Sequence, residues 1–420
     1  MVLSTKYTLG VLTAVFAVNQ LDRQILSISL DAIGNEFTLS NTQLGLLSGL
    51  VFALVYALFG IPIAKLAANG NRRNIIAVSV AVWSSLTIAM AGAQNFVQLI
   101  LARLGVGIGE AGAVAPAHSM ISDLYPPERR ISAMATFVAG SNIGILLAFL
   151  IGGIGGQMLG WRMSFVIAGV PGLVLALLLR FTVREPLREV IATPATHHRS
   201  LFIATLKTIW NDRGLRHAIA GLGLTGILTF GALAWIPTFI IRGLGLSQAQ
   251  TGIFLALTIG IVGGLGIWLS GLVADRLGAS KPIWRLGIVV CAILLAKPFV
   301  IAFMLVDDRA TALACFVAAT FVAGTYWAPT FAFLHSRVDT EMRPMATAIF
   351  LFVFNLVGVG IGPTLVGIAS DTVFSGYGAR ALGVSLAVMQ LVGIWGAWHY
   401  WQAAKTIKPD HAPDLTLSIE

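Results

Sequence analysis

Five ionisable side chains stand inside long apolar stretches of this sequence: Asp22, Arg23, Arg103, Glu110 and Lys297. If those stretches sit in lipid, each charge costs a few kcal/mol or more and marks a functional site by default. Four of the five fall in two stretches, residues 7–30 and 97–121. Arg103, Gly107 and Glu110 follow the i, i+4, i+7 spacing of one helix face. At roughly 1.5 Å per residue, Glu110 lies about 10 Å along the axis from Arg103. A first helix running outward puts Asp22 about 12 Å below the outer surface, and a fourth running inward puts Arg103 about 9 Å below it. The expectation is an outer ion pair, Asp22–Arg103, and a separate inner carboxyl, Glu110, with no partner at its depth. Asn19, three residues before Asp22, shares nearly the same face. A lone carboxyl in that setting can take up and release a proton. The Asp22–Arg103 pair can equally serve only to fix helix register. His118 reads better as a satisfied core histidine than as a proton relay. Lys297, beside Pro298, reads as a packing or snorkelling residue.

The elements that must position these residues are membrane spans. Charged residues make up 11% of the chain, against roughly 25% in soluble domains, and 57% are hydrophobic. Mean hydropathy is +0.87. A soluble core cannot hide that much apolar surface, which excludes a cytoplasmic enzyme and a nucleic-acid-binding module. Crossing a bilayer takes about 20 apolar residues. Twelve stretches meet that length: 7–30, 43–66, 74–92, 97–121, 131–155, 163–180, 218–240, 250–273, 284–304, 310–334, 345–370 and 380–401. The expected class is an all-α membrane protein. The first stretch is no cleaved signal peptide, since it lacks a small-residue cleavage site and carries Asn19, Asp22, Arg23 and Gln24. A polar segment divides the spans six and six, and residues 201–210 within it fit a short amphipathic helix on the membrane surface. Cys291 and Cys315 lie in apolar runs without disulfide or metal-ligand spacing and read as buried thiols. No metal or cofactor is expected.

With the N-terminus in the cytoplasm, twenty Lys and Arg fall on the cytoplasmic side and four on the other. Both termini are therefore expected inside, and the net charge of +9 is a topology signal rather than a mark of nucleic-acid binding. The halves also repeat. An offset of 213 carries Glu128, Arg130 and Asn142 onto Glu341, Arg343 and Asn355, and an offset of 207 carries the loop 64–73 onto the loop beginning at Gly271. The reading is an N-terminal bundle 1–180, a cytoplasmic central loop 181–217, a C-terminal bundle 218–401 and a cytoplasmic tail 402–420. Parallel six-span repeats are the plan of carriers that rock around a midplane site.

The run Gly271-x-x-x-Asp275-Arg276-x-Gly278 resembles the loop signature of the major facilitator superfamily, and the likeness extends over essentially the whole chain. It implies that superfamily's fold, twelve helices in two pseudo-symmetric bundles. In the loop after span two, the family's acidic position is Ala68 and its following basic position is Asn69, while Arg72 and Arg73 remain. Arg72, Arg73, Asp275 and Arg276 are the expected gating residues. With the N-half acid missing, the resting protein is expected to open mainly to the cytoplasm. Leu21-Asp22-Arg23 and Arg103-Leu-Gly-Val-Gly-Ile-Gly-Glu110-Ala111 look like the bacterial branch of the Spinster family of lysolipid and sphingolipid transporters. That resemblance implies a proton-linked carrier of the cell inner membrane, with Asp22 and Glu110 titrating and Arg23 and Arg103 beside them.

Spans seven to twelve contain no acid but are rich in aromatic bulk: Phe230, Trp235, Phe239, Tyr326, Trp327, Phe331 and Phe350. A charged wall facing an apolar wall suits a headgroup and a tail. The expected substrate contacts are Arg23, Arg103, Asn19, Asn142, Trp235, Tyr326, Trp327, Thr330 and Asn355. They would hold a small amphiphile that moves with protons through a monomer in the bilayer, with no nucleic-acid partner. The alternative is a proton-coupled symporter of small organic anions, carboxylates or sugar acids, clamped by Arg23 and Arg103. No nucleophile elbow or metal-ligand cluster suggests an enzyme, and no Gly-x-x-x-x-Gly-Lys-Ser/Thr run suggests an ATP-driven pump.

Overall fold

The computed structural model describes residues 5–187 and 195–407, apart from the side chains at 195–199, 270, 271, 274, 275 and 277–280. In lipid a backbone must satisfy its own hydrogen bonds, so the apolar runs become helices. Span one is Thr5–Phe37, span two Asn41–Asn69, span three Arg72–Ala91 and span four Phe96–Leu124. Spans five and six form one helical run, Pro127–Thr182, turned at Gly160, whose φ of 83° is open to glycine and strained for other residues. Span seven is Arg213–Leu244, span eight Gln248–Leu269 with an extension to Ser280, and span nine Trp284–Leu305. Span ten is Arg309–Ser336, span eleven Thr340–Asp371 and span twelve Ala381–Ala404. The twelve expected stretches are all helical, and most run past the bounds that hydropathy suggests. Polar caps set those bounds: Ser40 and Ser247 form matching capping boxes, and Asn95 and Asp308 cap spans four and ten.

The repeat is visible in these ends. An offset of 207 carries Phe37 onto Leu244 and Ser40 onto Ser247, and 213 carries Asn95 onto Asp308. Spans four and ten also break at matched points. The α-helix stops at Glu110 in one and at Ala323 in the other, then resumes at Val114 and Trp327.

Two six-helix bundles meet along a seam on the face opposite the termini. Span two packs on span eleven, where a Cβ added to Gly45 would lie 2.6 Å from the Pro363 carbonyl. Span five packs on span eight, where a Cβ on Gly153 would lie 2.6 Å from the Gly252 Cα. Two helix N-termini are capped across this seam. Asp371 accepts from the Asn41 and Thr42 N–H groups at 3.3 and 2.6 Å, and Gln157 Oε1 accepts from the Ala249 N–H at 2.9 Å. Arg242 pairs with Asp31 and donates to Asn41 Oδ1 at 3.0 Å. Nearer the termini the same helices part. In span two, contact with the other half reaches Ala53, and Leu58 and Ile61 are exposed. In span five Leu146 meets Gly260, and Val138, two turns further on, is exposed.

The helix Ala195–Asn211 follows the central segment. Residues 201–210 are helical as expected, but the helix packs against spans seven and eleven, with Thr205 and Ile209 buried. Phe202, Ile203, Leu206 and Trp210 remain exposed. Cys291 and Cys315 are separate free thiols, and Cys291 is exposed rather than in the core.

Candidate functional site

Span four is brought close to spans two and three by its glycines. A Cβ on Gly107 would meet Val55 at 2.6 Å, and one on Gly109 would meet Trp83 at 2.9 Å. The Gly-x-Gly-x-Gly run therefore acts as a packing surface, and it delivers Glu110 to span one at the point where span four breaks.

There Glu110 is fully buried and has partners. Arg23 Nε lies 2.6 Å from its Oε2, and Asn19 Nδ2 donates to the same oxygen at 2.9 Å. This corrects the expectation of a lone inner carboxyl. The expected Asp22–Arg103 pair is present but loose, with 4.0 Å between Nη1 and Oδ2. Asp22 Oδ1 instead accepts from the Thr87 hydroxyl of span three. Asn19, one turn before Asp22, and Arg23, next to it, both reach Glu110, so the outer pair and the inner acid are one cluster rather than two. The cause is arginine length: Arg23 reaches along span one past its own depth. Among the described residues, four buried polar atoms of the cluster make no hydrogen bond: Asn19 Oδ1, Asp22 Oδ2, Arg103 Nε and Glu110 Oε1. Water can partner all four, and a proton can partner the two carboxylate oxygens.

Two aromatic rings of span two complete the arrangement. Arg23 lies 4.8 Å from the Phe52 ring centroid and 5.0 Å from that of Tyr56, and Arg103 lies 4.6 Å from that of Phe52. Cation–π contact holds both guanidiniums without neutralising them. Both line a small cleft of about 40 Å³ between the halves. Gln24, Ser27 and Phe52 share its N-half wall, and Phe230, Leu233, Ala234, Val359 and Pro363 form the opposite wall. Ser27 Oγ closes the cleft at one end by donating to the Leu233 carbonyl at 2.7 Å. Phe52, Tyr56, Thr87, Gln24 and Ser27 are absent from the sequence-based site. Apart from the i, i+4 spacing of Phe52 and Tyr56, nothing in the sequence distinguishes them from other span residues.

The C-half candidates separate into groups. Tyr326 and Trp327 stand with Phe230 and Phe331 around Phe354, with Trp327 5.1 Å and Phe230 5.2 Å from that ring. Trp327 is 41% exposed, which leaves one face open to a ligand. Trp235 is fully buried, and its indole N–H donates to the Pro363 carbonyl at 2.8 Å, so it ties span seven to span eleven within the C-half and does not face the cleft. Thr330 is also buried, bonded to the Tyr326 carbonyl and to Tyr400 Oη within the C-half core. Asn355 donates to its own helix at Leu351 O, 2.8 Å. Asn142 is exposed one turn from Leu146, on the span-five face that meets span eight.

The expected gating arginines bind within one half. Arg72 is buried and bonds to Asp123, to Ser119 Oγ at 2.8 Å and to Glu185 at 2.7 Å. Arg73 N–H donates to the second Glu185 oxygen. These bonds tie spans three and four to the end of span six, and Asp123 and Glu185 are partners that sequence reasoning missed. Arg276 is exposed, and the Asp275 side chain lies outside the described residues. His118 is exposed and meets Phe137 edge-on at 5.1 Å, so it is no core histidine. Lys297 is buried and donates to Gln390 Oε1 at 3.0 Å, a packed amine rather than a snorkelling one.

The family model described as Major Facilitator Superfamily matches residues 12–363. The chain is 34% identical over 411 residues to an MFS-type efflux pump of Mycolicibacterium smegmatis, covering 96% of this chain and 93% of that one. It is 27% identical to a hexuronate transporter of Bacillus subtilis, with 89% and 92% covered, and 27% identical to human protein spinster homolog 1, with 96% and 81% covered. The crystal structure of a bacterial homologue of the human lysosomal transporter Spinster, inward-facing and unoccupied, aligns at TM-score 0.86 and 28% identity over 96% of this chain and 97% of that one.

Proposed function

The chain belongs to the Major Facilitator Superfamily and is a multi-pass membrane transporter, not an enzyme; we propose that it carries amphiphilic, lipid-like molecules, lysophospholipid- or sphingoid-like, coupled to protons by alternating access. The observation that carries this reading is the cleft: guanidiniums of Arg23 and Arg103 on one wall, Phe230, Leu233 and Val359 on the other. Cations held by aromatic faces suit an anionic headgroup, and the apolar wall suits a tail. The relatives named spinster support the class.

Coupling follows from the Arg23–Glu110 pair. A proton on Glu110 removes the charge that holds Arg23, and the freed guanidinium turns to the headgroup. Loss of the proton restores the pair and weakens the grip. Proton and anionic headgroup therefore favour each other's binding, as linkage requires. Asp22 is the second site in the same cluster, restrained by Thr87. Rocking of the halves then exposes the cleft on alternate faces. Both termini lie in the cytoplasm, a reading that rests on the twenty-to-four distribution of Lys and Arg, and the membrane is the cell inner membrane, which the bacterial relatives support.

The second reading, a symporter of small organic anions, is favoured by the hexuronate and L-galactonate transporters among the relatives. One experiment separates the two. Purified protein in proteoliposomes, driven by an imposed proton gradient, is offered lysolipids of constant headgroup and increasing acyl length. Tail binding tightens affinity by up to about 0.8 kcal/mol per methylene until the apolar wall is covered. Indifference to chain length, with strong competition by short carboxylates, would leave the anion symporter as the better account.

A further inference from the structure

Spans seven and twelve pack against each other through small residues, with Gly221 against Tyr400 and Gly396. At the end nearest the termini this closeness brings His217 and His399 together, Nδ1 to Nδ1 at 2.9 Å. Such a contact needs one N–H and one lone pair, so the pair holds a single proton between the facing nitrogens. Arg213 and Arg216, exposed on the same first turn of span seven, act electrostatically on His217. The nearest acid in sequence, Asp212, is committed elsewhere: it caps span seven through the Leu215 N–H and pairs with Arg337. Among the described residues, no ion pair joins Arg213 or Arg216 to an acid. Two exposed indoles, Trp395 and Trp398, border the cluster, and Trp398 meets both imidazoles edge-on.

We propose that this side-chain cluster binds the headgroup of an anionic phospholipid of the surrounding bilayer. Depth supports it. Arg213 opens its helix and His217 lies about 6 Å further in, the level at which headgroups sit. Tryptophan at that level prefers the interface, with its ring against acyl chain and its N–H toward water. Two arginines and a proton-sharing imidazole pair offer an excess of donors and no anionic side chain, which a net-anionic headgroup matches and a zwitterionic one, whose ammonium meets no carboxylate there, matches less well. The site is outside the transport cleft and stands apart from the proposed substrate.

The test uses the full-length protein in detergent, titrated with phosphatidylglycerol or phosphatidylcholine and read by native mass spectrometry. The parent should bind phosphatidylglycerol more tightly, by about fivefold for each arginine engaged. Arg213→Gln with Arg216→Gln should remove most of that preference, and His217→Gln with His399→Gln should reduce it. Arg129→Gln with Arg130→Gln, equal charge loss at the same face of the other half, should keep it. An equal loss in that control would reduce the effect to bulk charge and overturn the proposal. So would a parent without preference, or full displacement of phosphatidylglycerol by millimolar inorganic phosphate, which would make the cluster a phosphate site.

Discussion

The two halves share one backbone plan and carry opposite chemistry at matched points. The offsets that align their helix ends place Asp22 and Arg23 against Thr229 and Phe230, and Arg103 and Glu110 against Phe316 and Ala323. Both halves break span four or span ten at the same place, yet the break presents a carboxyl in one and leads into the Tyr326–Trp327 aromatic group in the other. The repeat therefore supplies scaffold, and divergence supplies function: one wall holds ions, the other apolar surface. At the seam the polarity reverses. The reversal is confined to the two helix caps, beside the Asp31–Arg242 pair: the C-half contributes a carboxylate, Asp371, and the N-half a neutral amide, Gln157, each capping a helix of the other half.

Neutralising the charged centre should have the largest effect. Glu110→Gln keeps size and removes titration, and proton-driven uptake in proteoliposomes should fall to that of empty vesicles. It also leaves Arg23 without its anion, at a cost of up to about 3 kcal/mol, since Arg23 keeps some exposure to the cleft. Asp22→Asn should cost less, because Arg103 stands 4.0 Å away and Thr87 can still donate. Thermal unfolding of the two variants ranks them. Full activity of the Glu110→Gln protein would remove the coupling role.

On the apolar wall the effect should be smaller and of another kind. Phe230→Ala takes a ring from the cleft and from its contact with Phe354. Affinity for a long-tailed lysolipid should fall about tenfold, and that for its short-tailed homologue should change little. A uniform loss across chain lengths would mean that the ring shapes the helix contact instead of contacting the tail.

The fold was largely legible, because lipid leaves a chain few choices: twelve apolar runs and a repeat of 207 to 213 residues lead directly to two bundles. The charged cluster was legible in its members and less so in its pairings. Counting along helix axes placed Asp22 beside Arg103, but axial rise ignores the length of Arg23, which reaches Glu110. Thr87 and Phe52 gave no signal, since a neutral residue in an apolar helix looks like packing. Trp235 and Thr330 show the converse error: composition names aromatic and polar bulk but not which way it faces, and both are spent inside the C-half. Asp371 and Gln157 sit at span ends, where polar residues are ordinary, so their cross-seam role needed coordinates.

That seam offers the next smaller effect. A carboxylate at a helix N-terminus contributes about 0.3–1 kcal/mol when exposed and up to ~2 when partly buried. Asp371→Asn keeps one acceptor oxygen for the Asn41 and Thr42 N–H groups and loses the charge. Losing about 1 kcal/mol should raise the population separated at this face roughly fivefold. Spin labels replacing Asn35 and Val373, with Cys291 and Cys315 changed to Ser, would read it as a longer-distance component. An unchanged distance distribution would mean that glycine packing alone holds spans two and eleven.

The reverse change makes the N-half resemble the C-half. Gln157→Glu places a carboxylate on the Ala249 N–H at the start of span eight, the counterpart of Asp371 on span two. The existing amide oxygen already makes that hydrogen bond at 2.9 Å, so only the charge term is new. On the exposed rim it is worth the lower part of the range, about 0.5 kcal/mol, or roughly a twofold shift toward the closed seam. Two consequences follow from the sign. Uptake that requires this face to open should slow by about twofold. The Asp371→Asn, Gln157→Glu double variant should regain part of the closure lost by Asp371→Asn alone, because both contacts act on the same rigid-body motion although they sit at separate helix pairs. Raising ionic strength should weaken this gain, since an exposed charge at a helix end is screened by salt. If Gln157→Glu instead opens the seam, the Gln157 contact depends on its amide donor, and the two caps are not equivalent devices.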